Sequence, residues 1–169
     1  MRIKELLFVA LMAACVGCGT QTPADTQAKD QADIKALEDR FVAAFKAKDI
    51  NAVMAVYAPD ESMVVFDAVP PLQYTGATAY KKDFADFFAA FPGPIELNMT
   101  DLDVTVGGDV AYGHNIQHSI MTDKDGKKMT ATVRVTDGYK KINGQWLISH
   151  EHVSIPVDLN TLKPVLDAK

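Results

Sequence analysis

All four histidines fall in two short stretches, His114 with His118 and His150 with His152. Spacings of two and four place side chains on one face of an extended strand, and neutral imidazoles gathered on such a face can hold zinc or copper. A metal site would need the two strands to bring the same faces together. It would also need an acidic or cysteine ligand to complete it, and none is so placed. No metal is expected, and the histidines read as hydrogen-bonded core or pocket groups. Arg134 and Thr136 share a face of one strand, as His150, His152 and Ser154 do on the next. An arginine fork can hold a carboxylate or an enolate oxygen, and His152 is a candidate base. Parity leaves a second option, because Val133 and Val135 occupy the opposite face and have an equal claim on the core; Arg134 and the histidines then form a structural network at a dimer face. Asp67 follows the apolar run Met63–Phe66 and precedes Pro70-Pro71, which puts it at a strand end or pocket rim. A desolvated carboxylate there is a general base with a raised pKa, and the same position suits a turn-capping aspartate. Tyr57 and Trp146 join Arg134 and His150 as candidate ligand-binding groups.

The elements that must position these residues are legible from spacing. Ile34, Leu37, Phe41, Ala44 and Phe45 recur at helical intervals and predict an amphipathic helix over 31–47. Asp49 then suits an N-cap for a second short helix that stops at Pro59. Ser62–Phe66 reads as a strand closed by the double proline. After Gly76, the stripe Tyr80, Phe84, Phe87, Phe88 and Phe91 predicts a third helix, ended by Pro92-Gly93-Pro94, with its aromatic side chains in the core. From Ile95 the pattern becomes strand and turn: 95–106, 109–121, 127–141 and 145–155, with Gly107-Gly108 and Asn143-Gly144 as hairpin turns. Long strands in a meander twist strongly, and three helices can cover only one face. A curled sheet wrapped around helices, with an internal cavity at its wide end, is the expected α+β object. The uncovered face predicts a homodimer.

Arg2 and Lys4 precede an apolar run from Leu6 to Val16 that is too short to span a bilayer, and the chain turns polar at Gly19. A positive start, a short apolar stretch and a small-residue end make 1–18 a secretory signal segment. Cys15 and Cys18 both lie at that end in lipobox-like settings, so either is a candidate for lipidation; a plain cleaved signal with incidental cysteines is the alternative. A polar linker over 19–30, a domain over 31–157 and a C-terminal tail over 158–169 follow. With no other cysteine in the chain, a disulfide within the domain is excluded. The net charge of -5 and dispersed Lys pairs argue against nucleic acid.

The order helix, helix, strand, helix and four-strand meander carries particular residues: Phe41-Val42-Ala43-Ala44 with Lys48-Asp49, Ala55–Ala58, Tyr74-Thr75-Gly76, Asp109–Tyr112, Arg134-Val135-Thr136, and Asn143–Trp146 through His150–Pro156. Over about residues 31 to 157 it resembles the SnoaL-like (polyketide cyclase-like) family of the nuclear transport factor two-like superfamily. The resemblance implies a cone-shaped fold, three N-terminal helices on a strongly curved, mainly antiparallel sheet with a cavity between, usually as a homodimer. It does not imply one function, since members include isomerases, cyclases, epoxide hydrolases, non-catalytic binders and assembly modules. In the ketosteroid isomerase type of chemistry, a carboxylate base works beside a tyrosine and a protonated aspartate. Here the tyrosine position falls at Phe41, the aspartate near Asp137, and the base near Asp67 only if the preceding strand has gained two residues. The steroid reaction is therefore not supported.

Taken together, the sequence predicts an exported lipoprotein, periplasmic or at the cell surface, touching the membrane only through its anchor. Its domain binds a small, partly apolar molecule and needs no cofactor. The alternatives are a proton-transfer or hydrolytic enzyme using Asp67 or His152 as base, and a dimeric assembly module for an envelope partner.

Overall fold

Ile34, Leu37, Phe41 and Ala44 bury one stripe of the first helix, α1 (Pro23–Ala47). The computed structural model describes residues 23–168; the leader expected over 1–18, with Cys15 and Cys18, lies outside the described residues. α1 starts earlier than the sequence pattern indicates, and Pro23–Asp30, expected as the end of a linker, forms its first turns. Those turns are tied to the domain. Asp30 is buried and accepts from Trp146 Nε1 at 3.0 Å and Lys141 Nζ at 2.6 Å, while Gln31 donates to the Val104 carbonyl at 3.0 Å. Side-chain partners across the sheet, which spacing alone does not reveal, thus extend the helix.

Lys48, with φ of 55°, ends α1, and Asp49 caps α2 (Ile50–Met54) by accepting from Ala52 N at 3.0 Å. The Lys48 ammonium donates to the carbonyls of Phe91 and Gly93, holding the exit of α3 (Ala77–Ala90) against this junction. α3 is entered through Gly76 at φ 85°, a left-handed conformation that glycine adopts without steric cost. Its buried stripe is Tyr80, Phe84 and Phe88.

Six strands form the main sheet in the order β2-β1-β6-β5-β4-β3. They are β1 (Val64–Phe66), β2 (Tyr74–Thr75), β3 (Ile95–Gly107), β4 (Val110–Thr122), β5 (Lys128–Ile142) and β6 (Gln145–Ser154). Neighbours are antiparallel except β1, which runs parallel to β6. The helices pack on one face of this curved sheet. Two bulges interrupt the ladders, one between Thr100 and Asp103 on β3 and one opposite Gly138/Tyr139 on β6. Residues after Ser154 are not a loose tail. β7 (Val157–Asp158) and β8 (Lys163–Pro164) make a hairpin, and the chain returns so that Thr132 N donates to the Leu166 carbonyl at 2.8 Å. The last β5–β6 pair is Arg134 with Ser154, so the returning segment takes the edge of β5 that β6 leaves.

Candidate functional site

Where β4 and β5 extend beyond the end of β6, the curved sheet and the helices enclose a cavity of about 780 Å³. This lies within the usual range for small-molecule sites. One wall is aromatic: Phe41 and Phe45 from α1, with Tyr80, Phe84 and Phe87 from α3. Their rings meet at centroid distances of 6.4 Å for Phe41–Phe84, 5.5 Å for Phe45–Phe87 and 4.7 Å for Tyr80–Phe84. The opposite wall is the inner face of the strands, where Ala131, Val133 and Val135 on β5 stand beside Val153 on β6. Val69, Val157, Pro164 and Leu166 bring in the β1–β2 loop and the C-terminal hairpin.

Polar groups are few and concentrated. Glu151 reaches the cavity from β6, is buried, and accepts from the hydroxyls of Tyr80 at 2.5 Å and Tyr57 at 2.8 Å. Burial pushes its carboxyl up to about 7, against the pull of the two tyrosine hydroxyls. Directly across the ladder is Asp137, also buried. Asp137 Oδ1 has no hydrogen-bond partner, and burial, with Glu151 and Glu38 nearby, pushes this carboxyl well above the usual carboxylate range. Asn115 Nδ2 approaches its other oxygen at 3.4 Å. Behind them Tyr139 donates to Glu38 at 2.7 Å, and burial raises Glu38 to about 7 as well. Gly113 makes room for this arrangement, because a Cβ there would lie 3.1 Å from Tyr139 Oη. Three carboxyls and three tyrosines therefore form a buried network, and Glu151 and Tyr80 are its members at the cavity. At the rim, Asp67 is half-buried, and burial together with Asp83 raises its pKa. Asp83 accepts from Tyr74 Oη at 2.6 Å.

The residues singled out from sequence separate into two groups. Asp67 is among the residues that line the cavity. Tyr57 is buried behind the cavity and acts through Glu151 instead of lining it. Trp146 is at the far end of the sheet on Asp30, with the Lys141 ammonium 5.0 Å from its ring, and holds α1 in place. Arg134 is exposed on the outer face, away from the cavity; Val133 and Val135 take the inner one. His150 and His152 are also on the outer face: His150 Nδ1 lies 2.8 Å from the Val64 carbonyl, and His152 is exposed beside Phe66. His118 contacts Thr132 Oγ1 at 3.0 Å, and no group of His, Cys, Asp and Glu with metal-ligating geometry occurs among the described residues. Sequence reasoning passed over Glu151, Tyr80, Glu38 and Tyr139. A signal for Glu151 exists: apolar parity is even at Trp146 and Ile148 and odd at Val153 and Ile155. Such a switch marks a bulge and turns Glu151 inward.

The sequence matches the SnoaL-like domain family over residues 34–158, and the chain belongs to that family. Among solved structures, it is similar to a nuclear transport factor 2-like protein of unknown function from Pseudomonas putida KT2440. That match has 32% identity over 84% of this chain and 97% of the other, with a TM-score of 0.75. A putative calcium/calmodulin dependent protein kinase II association domain from Xanthomonas campestris is 27% identical, covering 80% of this chain and 91% of that one, with a TM-score of 0.63. A ketosteroid isomerase-like protein from Erwinia carotovora atroseptica shares the fold at 21% identity, 75% and 95% coverage and a TM-score of 0.64. No curated protein matches the sequence.

Proposed function

We propose that this domain binds a small, partly apolar molecule in the cavity, with Glu151 and Tyr80 as its polar anchor and Asp67 at the rim. One observation carries this reading: the cavity of about 780 Å³ joins an aromatic and aliphatic lining to a single buried hydrogen-bonding cluster. Such a combination takes up apolar surface and fixes orientation at one point. The neutral fluorophore N-phenyl-1-naphthylamine tests it. Saturable fluorescence enhancement at one site per chain is expected, and filling the space with Ala131→Phe should weaken uptake about ten-fold or more through steric exclusion. Absence of uptake, or uptake indifferent to Ala131→Phe in a folded variant, would overturn the proposal.

A second reading, proton transfer, is favoured by a specific observation: carboxyls with raised pKa, Asp67 and Glu151, share one cavity with the Tyr80 hydroxyl. A base near neutrality opposite a hydroxyl donor suits enolisation or elimination. Both readings place the chemistry on the inner face. The setting we propose is an exported lipoprotein anchored through Cys15 or Cys18, which mass spectrometry of the mature N-terminus would test. We further propose pairing of two copies through the outer face, where Phe66 remains 38% exposed; a monomer in light scattering at micromolar concentration would contradict that.

A further inference from the structure

The charged groups on the cavity lining are all of one sign. Asp67, Asp83 and Glu151 contribute carboxyls, and no Lys, Arg or His lines the cavity among the described residues. This matters because Arg134, the strongest fixed positive charge expected near a ligand, projects from the other face. An anionic ligand would meet three carboxyls and no counter-charge. The aromatic wall of Phe41, Phe45, Tyr80, Phe84 and Phe87 adds ring faces, which carry negative charge density and attract cations. Glu151 already holds two hydroxyl donors, so its carboxylate is hydrogen-bonded and lacks only a positive partner.

We infer that the cavity is built for an organic cation: an apolar, aryl- or alkyl-bearing amine whose ammonium sits between Glu151 and the aromatic wall. This rests on the proposed binding function and specifies its ligand class. Without a ligand, Glu151 has no cation beside it, and burial holds its carboxyl up at about 7. An incoming ammonium favours the charged form of Glu151, which gives up its proton to solvent as the ion pair forms. The groups facing Glu151 set this response. They are Tyr57 from the segment after α2, Tyr80 from α3, Asp137 from β5 and Asp67 after β1, with Glu38 and Tyr139 behind. None is cationic, so nothing within the network substitutes for the ligand's charge.

The test compares three probes of similar shape: 4-phenylbutylamine, 4-phenylbutanol and 5-phenylpentanoate, each titrated calorimetrically into the wild-type protein. At about pH 8 the amine should bind about ten-fold more tightly than the alcohol, and the carboxylate most weakly. Near pH 5.5 the preference for the amine should shrink toward parity, with binding in two buffers of different ionisation enthalpy reporting proton release; the alcohol should be indifferent to pH. Glu151→Gln should abolish the preference and keep alcohol binding, and Asp67→Asn should reduce it less. Alcohol or carboxylate binding as tightly as the amine at the higher pH would overturn the cation inference while leaving the binding function intact. A preference that survives in the Asp67→Asn/Glu151→Gln double variant would overturn its assignment to these carboxyls. If none of the three binds, the binding function itself fails.

Discussion

The two faces of β5 and β6 use adjacent residues for opposite ends. Inward, Val133, Val135, Asp137, Glu151 and Val153 make a cavity wall and a buried acid network. Outward, Arg134, Thr136, His150 and His152 make a polar surface whose histidines touch backbone and Phe66. The outer face carries the residue types that usually draw attention as chemistry, an arginine and paired histidines. The inner face carries carboxyls and tyrosines, ordinary types made unusual by burial. Proton affinity here follows from where a group is placed more than from what it is.

The largest expected contrast comes from truncating neighbours on the two faces. Glu151→Ala strands the buried hydroxyls of Tyr57 and Tyr80, and the loss should be about 3 kcal/mol in urea denaturation. His152→Ala, one residue along and exposed, should change stability by less than about 0.5 kcal/mol. Equal losses would break the contrast.

The pH dependence of stability is the next. Glu38 and Glu151 have folded pKa values of about 7, above those of the unfolded chain, and Asp137 is raised in the same direction. The folded state therefore binds more protons than the unfolded state through the interval up to about 7, and stability falls as pH rises there. The two glutamates contribute fully only below their unfolded values of about 4.5 and lose that contribution as pH passes the folded ones. Asp30 acts oppositely, since its bond to Lys141 lowers its pKa and its contribution is lost on acidification. Melting temperature should decline from about pH 5 to pH 8, and Glu151→Gln should flatten that decline. A wild-type profile rising over the same interval would contradict the buried network.

The smallest effect belongs to Arg134→Met. An exposed arginine on the outer face should be replaceable within about 0.5 kcal/mol, with N-phenyl-1-naphthylamine uptake unchanged. A clear loss of uptake would return this residue to the ligand.

Helices, strands and turns were largely legible because each rests on local periodicity: the 34/37/41/44 stripe, the 80/84/88 stripe, and the glycine turns at 108, 126 and 144. The site was legible only in part. Asp67 could be placed because a strand end and a double proline bracket it. Counting by two along a strand joins His150 and His152 with Ser154 but does not say which face of the sheet they take. The bulge beside Ser149 inserts one residue, so the inner set passes from Trp146 and Ile148 to Glu151 and Val153. Arg134 lay on an unbulged strand whose two parities were equally plausible, and only the tertiary packing of Val133 and Val135 decides between them. The fold of residues 157–166 over the cavity depends on β6 leaving β5 early, a long-range event with no local mark in the sequence.

The central claim is that the inner face receives the ligand. Methyl-labelled NMR of the full domain titrated with 4-phenylbutanol tests it most directly, because alanine, valine and isoleucine methyls mark both faces. The account predicts saturable shifts at Ala131, Val133, Val135 and Val153, which line the cavity, with Val64, Ile116 and Ile120 on the outer face unmoved. Shifts confined to Val64, Ile116 and Ile120 would contradict it.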